Sequence, residues 1–391
     1  MRLDLLLLCL TYVLSQFFRS FLAVLAQVLH SDIGATADAL AYASGLWFIA
    51  FAAMQIPVGA ALDRIGPRRT ASVLLLAGAG GGALLFALAT TPTHINIAMT
   101  LIGIGCSPIL MSGYFIFARR FSPARFATLA ALMLGVGSIG NLLASYPMAW
   151  ASEVLGWRSI LLLLAVLCAL LAGGLFVLIQ DPPKATHVQR GSTLDVLRIR
   201  ALWPILPLLL VSYAPSAAIR GLWMGPYLHH VFGWSAYEVG MGSLIMGLAM
   251  VCGTFAYGPL DRLLRTRKWV VLVGNLCGVL CCLMLALAVD DSALLAVGLL
   301  AAIGFFGASF PVIVAHGRSF LPPHLTGRGV TWLNLFAIGG AGLLQFGSAP
   351  MHIMAQTQGG SASAYGILFA AFGMILLLGC VFYLYSRDSL H

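Results

Sequence analysis

Charged side chains are scarce in this sequence: they take 8% of its 391 positions, whereas hydrophobic residues take 61%. The mean hydropathy is +0.98. A soluble domain needs roughly a quarter of its residues charged to solvate its surface, so this composition excludes one. The sequence therefore predicts an integral membrane protein.

Several chemical motifs are also missing. No glycine-rich run precedes a Lys-Ser or Lys-Thr pair, which argues against a phosphate-binding loop and ATP drive. The eight cysteines carry no paired spacing in predicted loops, so no disulfide framework is expected. No nucleophile with a base and no metal triad is visible, which argues against an enzyme.

Apolar segments long enough to cross a bilayer recur along the whole chain, since a transmembrane helix needs about 20 such residues. Twelve segments qualify: 5–29, 39–62, 70–90, 95–118, 126–150, 157–180, 201–230, 236–260, 269–289, 293–317, 329–355 and 363–386. The expected fold class is therefore an all-α integral membrane protein with twelve transmembrane helices.

The basic residues orient these helices. All but three of the 21 Lys and Arg lie at the termini or in every second loop, the exceptions being Arg19, Arg158 and Arg220. By the positive-inside rule, both termini and those loops are expected in the cytoplasm, which suits a bacterial inner membrane. The pI near 9.4 is then a topological signal and gives no reason to expect nucleic acid as a partner.

The sequence repeats itself at about half its length. Matching residues recur at offsets of 198 to 203 positions. The pairs are Ser15 and Ser216, Arg19 and Arg220, Asp63 and Asp261, Ser107 and Ser309, Gly137 and Gly339, Gly140 and Gly342, and Pro147 and Pro350. Parallel repeats of this kind build many secondary transporters, with the substrate site near the bilayer midplane between the halves.

The repeat suggests three parts. Residues 1–180 are predicted to form an N-terminal six-helix half and residues 201–391 a C-terminal six-helix half. The connector 181–200 is polar and basic and contains Pro182, Pro183 and Gly191. Such a stretch suits a cytoplasmic linker.

The loop after the second segment carries a recognisable motif. Its residues run Gly59-x-x-x-Asp63-Arg64-x-Gly66-x-Arg68-Arg69, and a weaker copy spans Asp261 to Lys268. With the twelve segments, the repeat and the basic linker, the whole chain resembles the major facilitator superfamily and its fold. The resemblance implies a gating role for Asp63, Arg64, Arg68, Asp261 and Arg262, while the alternative is that these charges only anchor the topology.

One departure concerns the drug exporters of that superfamily. They carry a Gly-Pro kink in the fifth helix, and Asn141 stands here where that proline would fall. All twelve Asp and Glu also map to helix ends or loops, whereas those exporters tend to keep an acidic residue within a helix. Export of drugs is therefore disfavoured.

A narrower resemblance is to the CcoA-like copper importers that serve cytochrome oxidase assembly, whose relatives include riboflavin transporters. It is carried by Ser15–Val24, by Gly45–Arg69, and by Met246–Met250 through Arg262. That group is recognised by a Met-x-x-x-Met pair, which Met246 and Met250 satisfy. It also has a nearby His-x-x-x-Met pair that is absent here.

Four residues are candidate metal ligands. Met246 and Met250 are four apart, as are Cys277 and Cys281, so each pair shares a helix face. Thioethers and thiolates suit the soft ion Cu(I). Ordinary helix packing is the alternative for both pairs.

Two arginines point to another substrate. Arg19 and Arg220 lie within the first helix of each half at equivalent repeat positions, so both are expected to face a shared cavity. An intramembrane arginine is costly and marks a functional site by default. Two guanidinium groups suit a carboxylate or phosphate and would repel a bare copper ion; the alternative is neutralisation by helix carbonyls.

Other polar side chains within the helices complete the candidate substrate site. Trp223 and Tyr227, one turn apart, could stack on a planar organic ligand, as a riboflavin-like substrate would require; anchoring at the membrane interface is the alternative. Gln16, Tyr114 and Asn141 are expected to line the cavity, or else to link helices to one another.

The sequence thus predicts a secondary importer that works by alternating access, is not an enzyme, and needs no cofactor. Copper is the first candidate substrate, and riboflavin or another small organic anion bound by Arg19 and Arg220 is the second. The expected partners are that solute and the lipid bilayer, and a monomer is expected.

Overall fold

The protein is described by a computed structural model that covers residues 3–121, 123–182, 198–322 and 326–388. Every regular element in these ranges is a helix, and no strand occurs there. The predicted all-α class is confirmed. The chain divides into two compact units, Met1–His187 and Val188–His391. Most of the predicted linker, 183–197, lies outside the described residues.

The described residues of the first unit form six helices. They are α1 (Leu3–Phe17 and Leu22–Ile33), α2 (Ala37–Arg64), α3 (Pro67–Ala87), α4 (Pro92–Arg120), α5 (Pro123–Leu143 and Tyr146–Leu155) and α6 (Trp157–Leu178). The two arms of α1 are bent by 51° and those of α5 by 44°. The α5 bend precedes Pro147, whose ring and missing N–H break the helical hydrogen bonding.

The second unit repeats this order. Its helices are α7 (Ile205–Phe232), α8 (Ala236–Leu263), α9 (Lys268–Leu287), α10 (Ala293–Arg318) and the two arms of Thr326–Tyr383, namely α11 before Gly360 and α12 from Gly360 onward. Gly360 has φ 80° and separates the two arms. Leu208, Leu272, Leu333 and Leu376 bring α7, α9, α11 and α12 into one buried cluster.

Each of the twelve predicted segments coincides with a helix. By length and composition, nine described helices could cross a membrane, and the bent pairs in α1 and α5 bring the number to eleven. The remaining predicted segment, 329–355, lies in α11.

The ends of the first two helices are built alike in both units. Gly34 ends α1 with φ 68°, and Gly233 ends α7 with φ 70°, left-handed values that glycine adopts without strain. Two residues later, Thr36 caps α2 through the Ala39 N–H, and Ser235 caps α8 through the Glu238 N–H. The sequence repeat is therefore also a repeat of helix caps.

Candidate functional site

Arg19 lies at the bend of α1 rather than in the continuous helix that the sequence suggested. The N–H groups of Arg19 and Ser20 donate to the carbonyls of Gln16 and Phe17, three residues back, at 3.3 and 3.1 Å. This tighter spacing interrupts the α-helical ladder. The bend thus falls at the one charged residue in the middle of this span.

The Arg19 guanidinium lies against two aromatic rings of α2. Its Cζ lies 5.4 Å from the ring centroid of Trp47 and 5.5 Å from that of Phe51. The two rings are stacked, with centroids 5.1 Å apart. Among the described residues, no side chain hydrogen-bonds to Arg19 and no carboxylate pairs with it. The ring faces therefore stabilise the charge while leaving N–H donors for a ligand.

Arg220 occupies the equivalent place in α7. It lies in the π-helical turn Ile219–Trp223 and is only 4% exposed. Turns of this kind interrupt α-helices and occur frequently at functional sites. Both arginines thus lie where the first helix of their unit departs from α-helical geometry.

Trp223 is fully buried and is held in place by neighbours from α11 and α12. Its Nε1 donates to Ser348 Oγ at 2.8 Å. The ring of His352 lies 4.8 Å from it and the ring of Tyr365 6.2 Å, between centroids. In this structure the indole therefore packs against side chains of its own unit.

The structure brings two of the other predicted residues to the bend of α1. Ser20 Oγ, beside Arg19, donates to Asn141 Oδ1 of α5 at 3.4 Å. Gln16 is buried one turn earlier, and its Oε1 has no hydrogen-bond partner among the described residues. Tyr114 lies half-buried on α4. Gln16, Arg19 and Asn141 thus form a polar cluster around one helix break.

The methionine pair packs against a glycine of α10. A Cβ placed on Gly304 would lie 3.0 Å from Cγ of both Met246 and Met250. Met246 is fully buried and Met250 partly buried. By the repeat, Met246 and Met250 stand 199 residues after Trp47 and Phe51. In the second half they therefore occupy the positions equivalent to Trp47 and Phe51, the two rings that contact Arg19.

The cysteine pair lies on α9, apart from the methionines. Cys277 lines an apolar groove of about 310 Å³ whose walls include Tyr257, Trp269 and Phe305. Neither methionine contributes to that lining. Within the described ranges, no group of three or more His, Cys, Asp or Glu could hold a metal ion. Metal binding by the two pairs stays a prediction.

The predicted gating loop makes specific contacts in the first unit. Asp63 Oδ1 pairs with Arg119 Nη2 of α4 at 3.4 Å. The Arg68 guanidinium lies 4.5 Å from the ring of Phe176 on α6, and its backbone N–H donates to Asp181 Oδ1 at 2.9 Å. Arg64 is exposed. The loop is thereby tied to α4, to α6 and to the first residue of the linker.

The copy of this loop is tied in the same way. Asp388, just after α12, accepts from the Arg267 N–H at 3.3 Å and from the Thr266 hydroxyl. The side chains of Asp261 and Arg262 lie outside the described residues. In both units, a carboxylate that follows the sixth helix caps the N-terminus of the third.

Sequence reasoning missed several of these partners. Trp47 and Phe51 are ordinary residues for a membrane helix, although the repeat places them opposite the methionine pair. His352 and Tyr365 are contacted by residues more than 120 positions away, which no local pattern reveals. Asp181 and Asp388 each follow a last helix, and that shared position was the available signal.

Comparison with known proteins places this architecture. The family model described as Major Facilitator Superfamily matches residues 8–345. The probable galactarate/D-glucarate transporter GudP of Bacillus subtilis (strain 168) is 24% identical over 339 residues, covering 75% of this chain and 72% of that protein.

Solved structures of transporters share the fold. A bacterial homolog of the human lysosomal transporter Spinster, inward-facing and unoccupied, has a TM-score of 0.77 at 18% identity, over 98% of this chain and 96% of that one. The nucleoside transporter NupG gives 0.76 at 15% identity, over 99% and 100%. A D-xylose-proton symporter gives 0.75 at 16% identity, over 99% and 98%.

Proposed function

This chain belongs to the Major Facilitator Superfamily and is a multi-pass secondary transporter, and from that premise we propose that it imports a small organic anion of the sugar-acid class. Arg19 and Arg220 are the residues that recognise the anion, one from each repeat. By the positive-inside rule, we also propose that both termini face the cytoplasm of a bacterial inner membrane.

The observation that carries this proposal is the state of Arg19. Its guanidinium is held over two ring faces, and no side chain among the described residues satisfies its N–H donors. A guanidinium presents a planar fork of donors that matches a carboxylate. Arg220 stands at the equivalent position of the second repeat and offers the same donor chemistry.

The named relative supports the same class of substrate. GudP is described as a probable galactarate/D-glucarate transporter, and D-glucarate carries a carboxylate at each end. At 24% identity this similarity directs the choice of the first compound to test. Riboflavin is the second compound, because the sequence resemblance also reached that group.

Copper import is the competing function and rests on Met246 and Met250. Their stems lie over Gly304, as ordinary packing between α8 and α10 requires. The counterparts of this pair in the first unit are aromatic. Neither observation favours a metal site. Copper uptake is therefore measured beside glucarate uptake as the competing outcome.

The test measures uptake of labelled D-glucarate, riboflavin and copper by cells that express the protein. We expect glucarate uptake, and at least a tenfold loss in Arg19→Gln and in Arg220→Gln. A hydrogen bond to a charged group contributes about 1.5–3 kcal/mol, and 1.4 kcal/mol is about tenfold in affinity.

Arg158→Gln is the matched control. The Arg158 guanidinium donates to the carbonyls of Ala87 and Ala89 at 3.0 and 2.8 Å, at the end of α3, and should not affect substrate binding. Absent glucarate uptake, together with copper accumulation that Met246→Leu and Met250→Leu abolish, would replace this proposal by copper import.

A further inference from the structure

A buried imidazole lies in the C-terminal unit. His352 is on α11, is 1% exposed, and precedes Gly360 by eight residues, or about 12 Å of helix. An ionisable side chain buried within a membrane helix bundle is costly and marks a functional site by default. The proposed function assigns it no role.

Two aromatic rings flank this imidazole. The ring centroids of Trp223 on α7 and of Tyr365 on α12 each lie 4.8 Å from that of His352. Aromatic faces at this distance attract a cation, so the cage tolerates the protonated imidazole as well as the neutral one. Because Ser348 fixes the Trp223 indole through its Nε1–H at 2.8 Å, the cage is preorganised.

A second histidine joins this cage to the end of α7. The Tyr365 hydroxyl shares a hydrogen bond of 2.8 Å with His230 Nδ1. His230 is exposed, and the charge pattern places this helix end on the extracytoplasmic side. His230 is thereby linked to the Tyr365 ring, which also packs against His352.

Carboxylates do not compete for the role of proton carrier within the spans. In the described ranges, each Asp and Glu lies within two residues of a helix end or outside the helices. The residues in ring contact with His352 are Trp223 on α7 and Tyr365 on α12. Tyr365 also bonds His230, and Arg220 lies three residues before Trp223 on α7.

We propose that His352 binds the proton that is cotransported with the organic anion. The proton leaves His352 when the anion is released to the cytoplasm.

Arg220 explains why proton and anion bind together. It lies three residues before Trp223 in the same π-helical segment. An anion bound there brings negative charge to the helix that forms one wall of the cage, which favours a proton on His352. Each ligand therefore strengthens the binding of the other, by linkage that is reciprocal. This step rests on the proposed function, whereas protonation of His352 does not.

The test uses the full chain in liposomes, with D-glucarate as the probe. In wild type we expect accumulation driven by an alkaline interior, and glucarate-induced proton entry reported by a trapped pH dye. His352→Gln and His352→Asn should lose both by at least tenfold while retaining exchange of labelled for unlabelled glucarate. Retained proton entry in folded His352 variants would overturn the proposal.

His316→Gln is the matched control, because His316 is also fully buried but bonds Tyr383 Oη at 2.6 Å and the Arg387 carbonyl at 2.8 Å. It should keep proton entry.

A second measurement needs no substrate. A protonated imidazole quenches a neighbouring indole, so tryptophan fluorescence of the purified protein should change with pH, with a component lost in His352→Gln and kept in His316→Gln. Absence of that component overturns the protonation of His352. Its presence without any glucarate exchange overturns the sugar-acid substrate instead.

Discussion

At the residue scale, the two repeats differ at the positions of Trp47 and Phe51. The Arg19 guanidinium lies over the rings of Trp47 and Phe51, whereas the equivalent positions of the second repeat hold Met246 and Met250. An indole and a phenyl ring hold a cation through their quadrupoles, which a thioether does not do in the same way. Arg19 is therefore positioned by two aromatic faces.

Trp47→Leu tests this positioning. A cation–π contact contributes about 1 kcal/mol, so we expect glucarate uptake to fall about fivefold, mainly through a higher KM. Met246→Leu, at the equivalent position of the second half, conserves volume and should change uptake little. Equal effects of the two substitutions in transport kinetics would show that the ring acts only by packing.

The arginines could be predicted from the sequence because a charge within an apolar segment is conspicuous and the repeat gave it twice. The contacts of Trp47 and Phe51 with Arg19 could not be predicted, since Trp and Phe are expected anywhere in such a helix. His352 was equally hidden: a lone histidine has no local pattern, and its partners come from α7 and α12. Long-range contacts decide both roles.

At the element scale, the third helix of each unit begins under a carboxylate from the end of the sixth. Asp181 accepts the Arg68 N–H and Asp388 the Arg267 N–H, which places negative charge at a helix N-terminus. The preceding turn uses Gly66 with φ 103° in the first unit and Arg265 with φ 52° in the second. The left-handed conformation suits glycine and strains arginine.

Gly66→Ala and Arg265→Gly, one substitution at each turn, should change the stability of the protein in opposite directions. Gly66→Ala places a Cβ 2.6 Å from Asp181 Cγ, on a residue whose backbone has a positive φ. We therefore expect the free energy of unfolding to fall by about 1–3 kcal/mol. Arg265→Gly relieves strain and should gain up to about 1 kcal/mol. Apparent melting temperatures in detergent measure both.

Gly59→Ala is the control for these turn variants, because a Cβ there meets nothing within 4 Å. Its helical position should make it neutral or slightly stabilising. A Gly66→Ala protein with the melting temperature of wild type would show that the Asp181 side chain moves away at little cost.

The helices themselves were predictable because twenty apolar residues in a row leave few alternatives. Their interruptions were less so. The bend of α5 follows from Pro147, which is visible in the sequence, but the bend of α1 at Arg19 occurs without proline or glycine. Its cause is the local change to three-residue hydrogen bonding, which composition does not reveal.

At the scale of the whole molecule, transport requires the chain to change between at least two states of similar free energy. A surface ion pair such as Asp63 with Arg119 contributes little to folding, typically less than 1 kcal/mol. The same energy, if present in one state only, changes the ratio of two states up to about fivefold. A loop contact can therefore matter more for transport than for stability.

This predicts that Asp63→Ala and Arg119→Ala will each lower the rate of glucarate uptake severalfold with little change in melting temperature. The Asp63→Arg, Arg119→Asp double variant restores opposite charges across the 3.4 Å pair and should recover much of the rate. Arg64→Ala should also slow uptake if the loop gates transport, although Arg64 is exposed. Charge reversal without recovery would mean that Asp63 acts through another partner, and wild-type rates in all the single variants would reduce the loop to an anchor of topology.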